Sequence, residues 1–206
     1  MRQIKTYENS IKKRFIQFLC YSHISGIKSD ILCLAGPNAL EYINFLQKYC
    51  ASNPKNKIYS YEKEFNIYSE QVSLTFYNKA IKNRVVFRPG DVIQAEPRQI
   101  IDLDFCCNLS TAIPIVKKLF KSQKEQFKTE TNVFMFSISA IVYKSGYLEN
   151  ILKFLNELLE ISIQSWLEID MEYGKQFVLK YNATTYNVNL YTYTDTSPMY
   201  TIQIIY

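Results

Sequence analysis

Histidine is almost absent from this sequence, since His23 is the only one among 206 residues. This scarcity removes the usual general base from most hydrolase triads, and it removes most histidine-based metal sites. We interpret His23 as a local polar residue. The five cysteines are an odd set without a CxxC pair. Neither a disulfide framework nor a zinc site is therefore indicated.

Long apolar segments are also lacking. The most apolar run, Val133 to Tyr143, has eleven residues, about half of the roughly 20 that a membrane-spanning helix needs. It is better explained as a buried strand. Charges are spread through residues 1–15, so a secretion signal is not indicated. We expect a cytoplasmic protein without a membrane segment, and the chain length favours one domain over residues 1–206.

Strand and helix patterns alternate along the chain, after an amphipathic helix within residues 1–25. Five strands are predicted, at Ile31–Leu34, Lys57–Glu62, Val85–Phe87, Ile100–Phe105 and Asn132–Val142. Helices are predicted between them, over residues 38–50, over residues 65–82, and after residue 110. For the last of these, Ser110 or Thr111 is the expected N-cap and Pro114 falls in the first turn.

The C-terminal part has a different pattern. A long amphipathic helix is predicted from Tyr147 to about Glu168. Strands follow at Phe177–Tyr181, Tyr186–Thr194 and Met199–Tyr206, the last two as an antiparallel hairpin. The whole pattern predicts an α/β fold with a doubly wound, mostly parallel, Rossmann-like sheet and a C-terminal antiparallel hairpin. Residues 30–145 form the predicted core, and residues 147–206 supply the long helix and the closing strands.

Distinctive residues follow the predicted strands, where an open parallel sheet binds its ligands. They are Leu34-Ala35-Gly36-Pro37-Asn38, then Glu62, then Gly90-Asp91-Val92, then Asp102-Leu103-Asp104-Phe105. The series resembles that of class I S-adenosylmethionine-dependent methyltransferases. Their strands end successively in a glycine-bearing loop, an acidic residue, a Gly-Asp-type turn and an Asp-containing catalytic loop. The resemblance covers about Ile31 to Tyr143.

The resemblance implies S-adenosylmethionine as the cofactor. Ala35, Gly36 and Pro37 would form the cofactor loop, with Gly36 allowing backbone to approach the methionine part. Glu62 would bind the ribose hydroxyls, and Asp91 would contact the adenine amino group. Asp102 and Asp104 would be the catalytic residues, because this segment is similar to the Asp-Leu-Asp start of the substrate-side motif in tRNA guanine dimethyltransferases.

Other interpretations of these residues remain open. The family's loop has two or three glycines, whereas this chain has only Gly36, and Pro37 lacks an amide donor. A non-catalytic Rossmann-like module that binds a nucleotide or nucleic acid is therefore the alternative function. Asp102 and Asp104 could instead cap the following helix or hold a metal ion for a nucleotide-sugar. Cys106 and Cys107 stand where cytosine methyltransferases keep a nucleophilic cysteine.

Charge is unevenly distributed. Residues 1–146 contain 21 Lys and Arg against 12 Asp and Glu, giving +9, whereas residues 147–206 contain 3 against 7, giving −4. Five lysines follow the Asp-Leu-Asp segment: Lys117, Lys118, Lys121, Lys124 and Lys128. Such a basic stretch is typical of a nucleic-acid contact, although a solvated helix face is the simpler explanation. The hypothesis is thus a methyltransferase-like protein acting on nucleic acid.

Overall fold

The computed structural model describes residues 11–23, 27, 29–35, 56–105, 107–139, 147–160, 167–171, 173–181, 184–194 and 198–206. The helices among these residues are α1 (Ile11–Ser22), α2 (Phe65–Tyr77), α3 (Lys79–Arg84), a 3-10 turn (Val92–Gln94), α4 (Leu109–Gln126) and α5 (Tyr147–Leu159). The helix predicted over residues 38–50 lies outside the described residues.

The described strands form one nine-stranded sheet. They are β1 (Ile31–Cys33), β2 (Ile58–Glu62), β3 (Val85–Pro89), β4 (Ile100–Asp104), β5 (Val133–Ser139), β6 (Leu167–Met171), β7 (Gly174–Tyr181), β8 (Thr184–Thr194) and β9 (Pro198–Ile205). Their order is β3-β2-β1-β4-β5-β9-β8-β7-β6. Strands β1 to β5 are mutually parallel, and the remaining pairs are antiparallel. The doubly wound α/β fold is confirmed, with a larger antiparallel part than one hairpin.

Helices cover both faces of the parallel strands, which explains why the predicted strands are continuous apolar runs. Every residue of β1 and β5 is buried, as expected where a sheet has a layer on each side. On one face, α4 and α5 pack through Val116, Phe120 and Leu155. On the other face, α1 packs through Ile16, Cys20 and Tyr21, and α3 through Ile81. Successive residues of β4 therefore face different helices.

The predicted helix from Tyr147 to about Glu168 is too long. Helix α5 ends at Leu159, and Glu160 follows with a left-handed φ of 59°, a conformation that commonly ends helices. Residues Leu167–Met171 then form the edge strand β6, paired in register with β7. An ion pair between Glu168 and Lys175 joins the two strands. The cross-strand partner, rather than the local sequence, selects the strand here.

The start of α4 also differs from the prediction. Asn108, not Ser110 or Thr111, is the N-cap, and its side-chain oxygen accepts a hydrogen bond of 3.1 Å from the Thr111 amide. The helix therefore begins two residues earlier than expected, and Pro114 falls in its second turn. Proline there cannot donate to the carbonyl of Ser110. Pro114 is exposed, so water can satisfy that carbonyl.

Candidate active site at the carboxyl ends of the parallel strands

The strand register places the predicted site residues at the carboxyl ends of the parallel strands. This side of the sheet is here called the site edge. Cys33 pairs with Asp102, Glu62 with Pro89, and Asp104 with Ser137. All these pairs are parallel, so the residues that follow them leave the sheet in the same direction. Leu34, Glu62, Asp91 and Asp104 consequently share the site edge, as the sequence predicts.

Glu62 ends β2, and Asp91 follows the end of the neighbouring strand β3. Both carboxylates are held by nearby backbone amides. One Glu62 carboxylate oxygen accepts a 2.9 Å hydrogen bond from the Glu64 amide. One Asp91 oxygen accepts a 3.0 Å hydrogen bond from the Ile93 amide and caps the 3-10 turn. Within the described part of the chain, the second oxygen of each carboxylate has no hydrogen bond. Each side chain is thus oriented and still has an acceptor to offer.

Gly90 connects these two carboxylates. Its amide donates a 3.0 Å hydrogen bond to the Glu62 carbonyl, which ties the end of β3 to the end of β2. Its φ is +120°, a conformation that L side chains rarely adopt, and the space where a Cβ would stand is open. Glycine is needed here for the backbone turn, not because a neighbour crowds it.

The predicted cofactor loop is described only at its start. Ala35 is buried, and its amide donates to the Ser60 hydroxyl across a 3.3 Å separation. Ser60 is itself fully buried on β2, so the loop leaves β1 attached to the neighbouring strand. Gly36 and Pro37 lie outside the described residues, and their predicted roles stay predictions.

Asp102 is enclosed by the N-terminal helix. The Tyr21 hydroxyl on α1 donates a 2.6 Å hydrogen bond to its Oδ2 atom, and the Asp102 residue is only 7% exposed. A buried carboxylate is costly without such a donor. Asp102 therefore serves first to fix α1 on the sheet, which leaves it little access to a substrate.

Asp104 lies nearer the surface and is the better candidate to meet a substrate. Its Oδ2 atom forms an ion pair with Lys13 of α1, and its side chain is 16% exposed. Its Oδ1 atom is buried and has no hydrogen-bond partner among the described residues. A buried acceptor without a donor is unusual in native proteins. Oδ1 therefore keeps an acceptor function that no described residue uses.

Three contributors to this site escape sequence reasoning. Lys13 and Tyr21 meet the two aspartates across 91 and 81 residues of chain, and Ser60 meets Ala35 across 25. The amphipathic pattern predicts α1 itself, because Ile16 and Cys20 lie on its buried face. The pattern does not predict which residues of α1 lie against which residues of β4. Only the packed structure assigns these partners.

The structure gives little support to the other chemical interpretations of these residues. Cys107 is half-buried, and burial raises the pKa of its thiol more than nearby Lys63 lowers it, so the thiolate that a nucleophile requires is disfavoured. Cys106 lies outside the described residues. No group of three or more potential metal-binding side chains occurs among the described residues. His23 is exposed just after α1.

Four of the five lysines of the basic stretch lie on α4, which runs away from the site edge, and Lys128 follows the end of that helix. Lys117, Lys118, Lys121, Lys124 and Lys128 are all exposed. The helix has 18 residues, about 27 Å at 1.5 Å per residue, so the later lysines approach the opposite edge. Lys117 forms a 3.2 Å ion pair with Glu157 of α5. Among the described helices, none is long and apolar enough to cross a bilayer.

Solved structures with a similar fold include methyltransferases, one described as SAM-dependent and another solved with bound SAM. An O-methyltransferase from Thermotoga maritima has a TM-score of 0.53 at 13% identity over 94% of this chain, which spans 64% of that protein. Precorrin-6y C5,15-methyltransferase from Geobacter metallireducens has a TM-score of 0.52 at 10% identity, over 97% of this chain and 90% of that one. Magnesium protoporphyrin IX methyltransferase from Synechocystis, solved with bound SAM, has a TM-score of 0.55 at 8% identity, over 94% and 79%.

These comparisons identify the fold of the chain as that of class I methyltransferases. No protein-family profile matches the sequence, and no curated protein is similar to it in sequence. The likeness therefore lies in the arrangement of strands and helices.

Proposed function

We propose that this protein is a methyltransferase that uses S-adenosylmethionine. The observation that carries the proposal is the pair of carboxylates at the site edge. Glu62 and Asp91 follow adjacent strands, are oriented by backbone amides, and each retain an oxygen without a described partner. Carboxylate oxygens of this kind can accept hydrogen bonds from the hydroxyl and amino groups of an adenosine.

Each site residue has a distinct part in this proposal. Glu62 binds the ribose hydroxyls, and Asp91 contacts the adenine amino group. The cofactor supplies an already activated methyl group, so the protein mainly has to align the acceptor. Asp104 orients the acceptor by accepting a hydrogen bond from its N–H or O–H group. Asp102 acts through Tyr21 and α1, and is therefore a positioning residue.

We further propose that the acceptor belongs to a nucleic acid and that the protein acts in the cytoplasm. The exposed lysines of α4 support the first point, since they can contact the phosphates of a strand that extends from the site edge along the helix. The glutamate paired with Lys117 reduces, but does not cancel, this charge. The charge excess of residues 1–146 over residues 147–206 favours the same conclusion.

Calorimetric titration with S-adenosylmethionine and with its demethylated product tests the cofactor. Binding is expected, and Glu62→Gln or Asp91→Asn should each weaken it about ten- to a hundredfold through loss of a charge-assisted hydrogen bond. Asn at position 91 can still cap the 3-10 turn. Glu64→Ala is the matched control, because that side chain is exposed and makes no capping hydrogen bond.

No binding to the intact protein at millimolar ligand would favour the non-catalytic module instead. The Lys13–Asp104 ion pair is the observation that favours this second function. It engages the carboxylate that an acceptor would need. Circular dichroism of each variant establishes that a loss of binding is not a loss of folding.

A further inference from the structure

Strand β6 is the last strand at one end of the nine-stranded sheet. Its residues pair with β7 in continuous register, and the strand contains neither a bulge nor a proline. Leu167, Glu168, Ile169 and Asp170 are all exposed. Among the described residues, no strand pairs with the outer side of β6. Its outward backbone N–H and C=O groups therefore form a row on which a further strand can pair.

The apolar side chains of β6 lie on the face of the sheet that carries α1. Met171 packs against the cluster that includes Ile16 and Cys20 of α1, and side chains alternate between the two faces along a strand. Ile169 and Leu167 are therefore on the same face, where they are 40% and 61% exposed. An incoming strand could cover both of these side chains while it pairs with the backbone.

Aromatic side chains extend this apolar surface. Tyr173 lies in the turn between β6 and β7, and the centre of its ring is 5.1 Å from that of Phe15 on α1. The Phe18 ring stacks next to that of Phe15, with centres 6.4 Å apart. All three rings are exposed. Single exposed apolar residues are ordinary, whereas a group of them on one face indicates a contact surface.

The opposite face of β6 is acidic. Glu168 and Asp170 both form ion pairs with Lys175 of β7, the second at 3.5 Å. Two carboxylates thus share one ammonium group, and the Asp170 side chain is still 89% exposed. Opposite charges on neighbouring strands stabilise their pairing. This face therefore favours an incoming strand that carries basic side chains at alternate positions.

Charge argues against a second copy of this chain as the occupant. Antiparallel pairing of two β6 strands centred on Ile169 would place Glu168 of each copy opposite Asp170 of the other. Like charges directly opposite one another destabilise a strand pair. Lys175 cannot relieve this repulsion, because in each copy two carboxylates already share it.

We propose that β6 binds an extended segment of a partner protein in which apolar residues alternate with lysine or arginine. The segment joins the sheet through backbone hydrogen bonds to the outer side of β6. Its apolar side chains pack on Leu167 and Ile169, and its basic side chains lie beside Glu168 and Asp170. Strands β2 and β3 are at the other end of the strand order. The proposal is therefore independent of the cofactor and of methyl transfer.

Fluorescence anisotropy with a labelled peptide tests the proposal. The probe is a peptide of about seven residues that alternates lysine with valine and is blocked at both ends, long enough to cover the strand. One peptide should bind per chain. Replacing its lysines by glutamate should weaken binding at least about tenfold. A peptide of the same composition with its lysines and valines in separate blocks should also bind about tenfold more weakly, because it cannot match both faces of β6.

Variants of the protein test the acidic face. Asp170→Thr removes one carboxylate, keeps a side chain suited to a strand, and should weaken binding about two- to fivefold. Glu70→Gln is the matched control, because it also removes one negative charge. Glu70 is exposed on α2, which packs beside β2 and β3 at the other end of the sheet. Circular dichroism establishes that both variants are folded.

Hydrogen exchange with and without the peptide locates the contact. Amides within residues 167–171 should exchange more slowly in the complex, because the new strand accepts hydrogen bonds from them. A contact made through side-chain charge alone would leave these exchange rates unchanged and would overturn the proposal.

Other outcomes also overturn it. These are no binding at millimolar peptide, equal affinity for the glutamate or block peptide, and equal weakening by Glu70→Gln. Sedimentation of the protein alone tests the remaining occupant. A dimer whose formation slows exchange in β6 would identify a second copy of the chain as the occupant, and would overturn the assignment to a basic partner segment.

Discussion

Asp102 and Asp104 are two residues apart and face the same helix, yet their surroundings separate them. Tyr21 closes over Asp102, whereas Lys13 reaches Asp104 from a more exposed position. The difference is one of depth, since Asp104 is the last residue of β4 and Asp102 is inside the strand. At the residue scale, one carboxylate is enclosed against α1 and the other pairs with Lys13 at a more exposed position.

Tyr21→Phe should destabilise the protein by about 1.5–3 kcal/mol, because a buried carboxylate loses the hydroxyl that satisfies it. Urea unfolding monitored by circular dichroism gives the free energy of unfolding. Tyr77→Phe is the matched control, as Tyr77 is 89% exposed and should change stability by less than about 0.5 kcal/mol. Equal effects of the two substitutions would contradict the assigned role of Tyr21.

The Cys20 thiol makes the stability of the protein depend on pH in the alkaline range. Burial, and secondarily the charge of Asp102, raises its pKa well above the ordinary range. In the unfolded chain the thiol ionises at about pH 8.5, whereas in the folded protein it stays protonated at that pH. The unfolded state then binds fewer protons, so the free energy of unfolding falls as the pH rises above that value.

We expect Cys20→Ala to make this fall shallower by up to about 1.4 kcal/mol per pH unit. Urea unfolding of both proteins between pH 7 and 10 measures the difference. The substitution itself lowers stability at every pH by leaving a small void, and only the pH dependence reports the thiol. Parallel curves for the two proteins would show that Cys20 ionises equally in both states.

The elements of the chain differ in how firmly their own residues define them. Helix α4 has a local start signal, because the side-chain oxygen of Asn108 accepts hydrogen bonds from the Thr111 amide and from the hydroxyls of Ser110 and Thr111. Strand β6 has no comparable signal and is defined by pairing with β7. It lies at the sheet edge, with Leu167 and Ile169 exposed.

Asn108→Ala should cost about 1 kcal/mol of stability, within the usual range for an N-cap. Ser110→Ala removes only a hydroxyl that donates to the same oxygen, so a loss below about 0.5 kcal/mol is expected. Thermal or urea unfolding of the pair distinguishes the cap that the structure assigns from the cap that the sequence predicts. A larger loss for Ser110→Ala would restore the sequence-based assignment.

At the scale of the whole molecule, the sheet separates two groups of functional candidates. The carboxylates Glu62, Asp91 and Asp104 lie at the site edge. The lysines on α4 begin at Lys117 and continue toward the opposite end of the parallel strands. A nucleic acid that contacts both groups would therefore extend from the site edge along α4.

Replacing Lys117, Lys118 and Lys121 by Ala should weaken nucleic-acid binding and reduce its salt dependence. Each lost phosphate contact lowers the slope of log affinity against log salt by about 0.7–0.9. Gel-shift titrations of a short RNA and of a short DNA at several salt concentrations measure this slope. Lys79→Ala with Lys82→Ala on α3 provides a control with exposed lysines elsewhere. Absence of binding at low salt would direct attention to a small-molecule or protein acceptor.

The sequence by itself determines the alternation of elements and the residues that end the parallel strands. The apolar run Ile31–Cys33 is buried at every position, so composition alone identifies the strand. The turn at Gly90-Asp91 is equally local, because a positive φ and a capping carboxylate depend on those two residues. Parallel pairing then brings Glu62, Asp91 and Asp104 to one edge.

Only the tertiary structure decides which of these residues are free to act. The partners of Asp102 and Asp104 come from a helix more than 80 residues away, and no periodicity encodes that register. The identity of β6 depends on cross-strand pairing for the same reason. The cavity lined by Phe120, Asn132, Tyr186 and Tyr206 combines α4, β8 and the end of the β5–β9 pair at which β5 begins and β9 finishes. Long-range packing assembles these surfaces from positions that the sequence keeps apart.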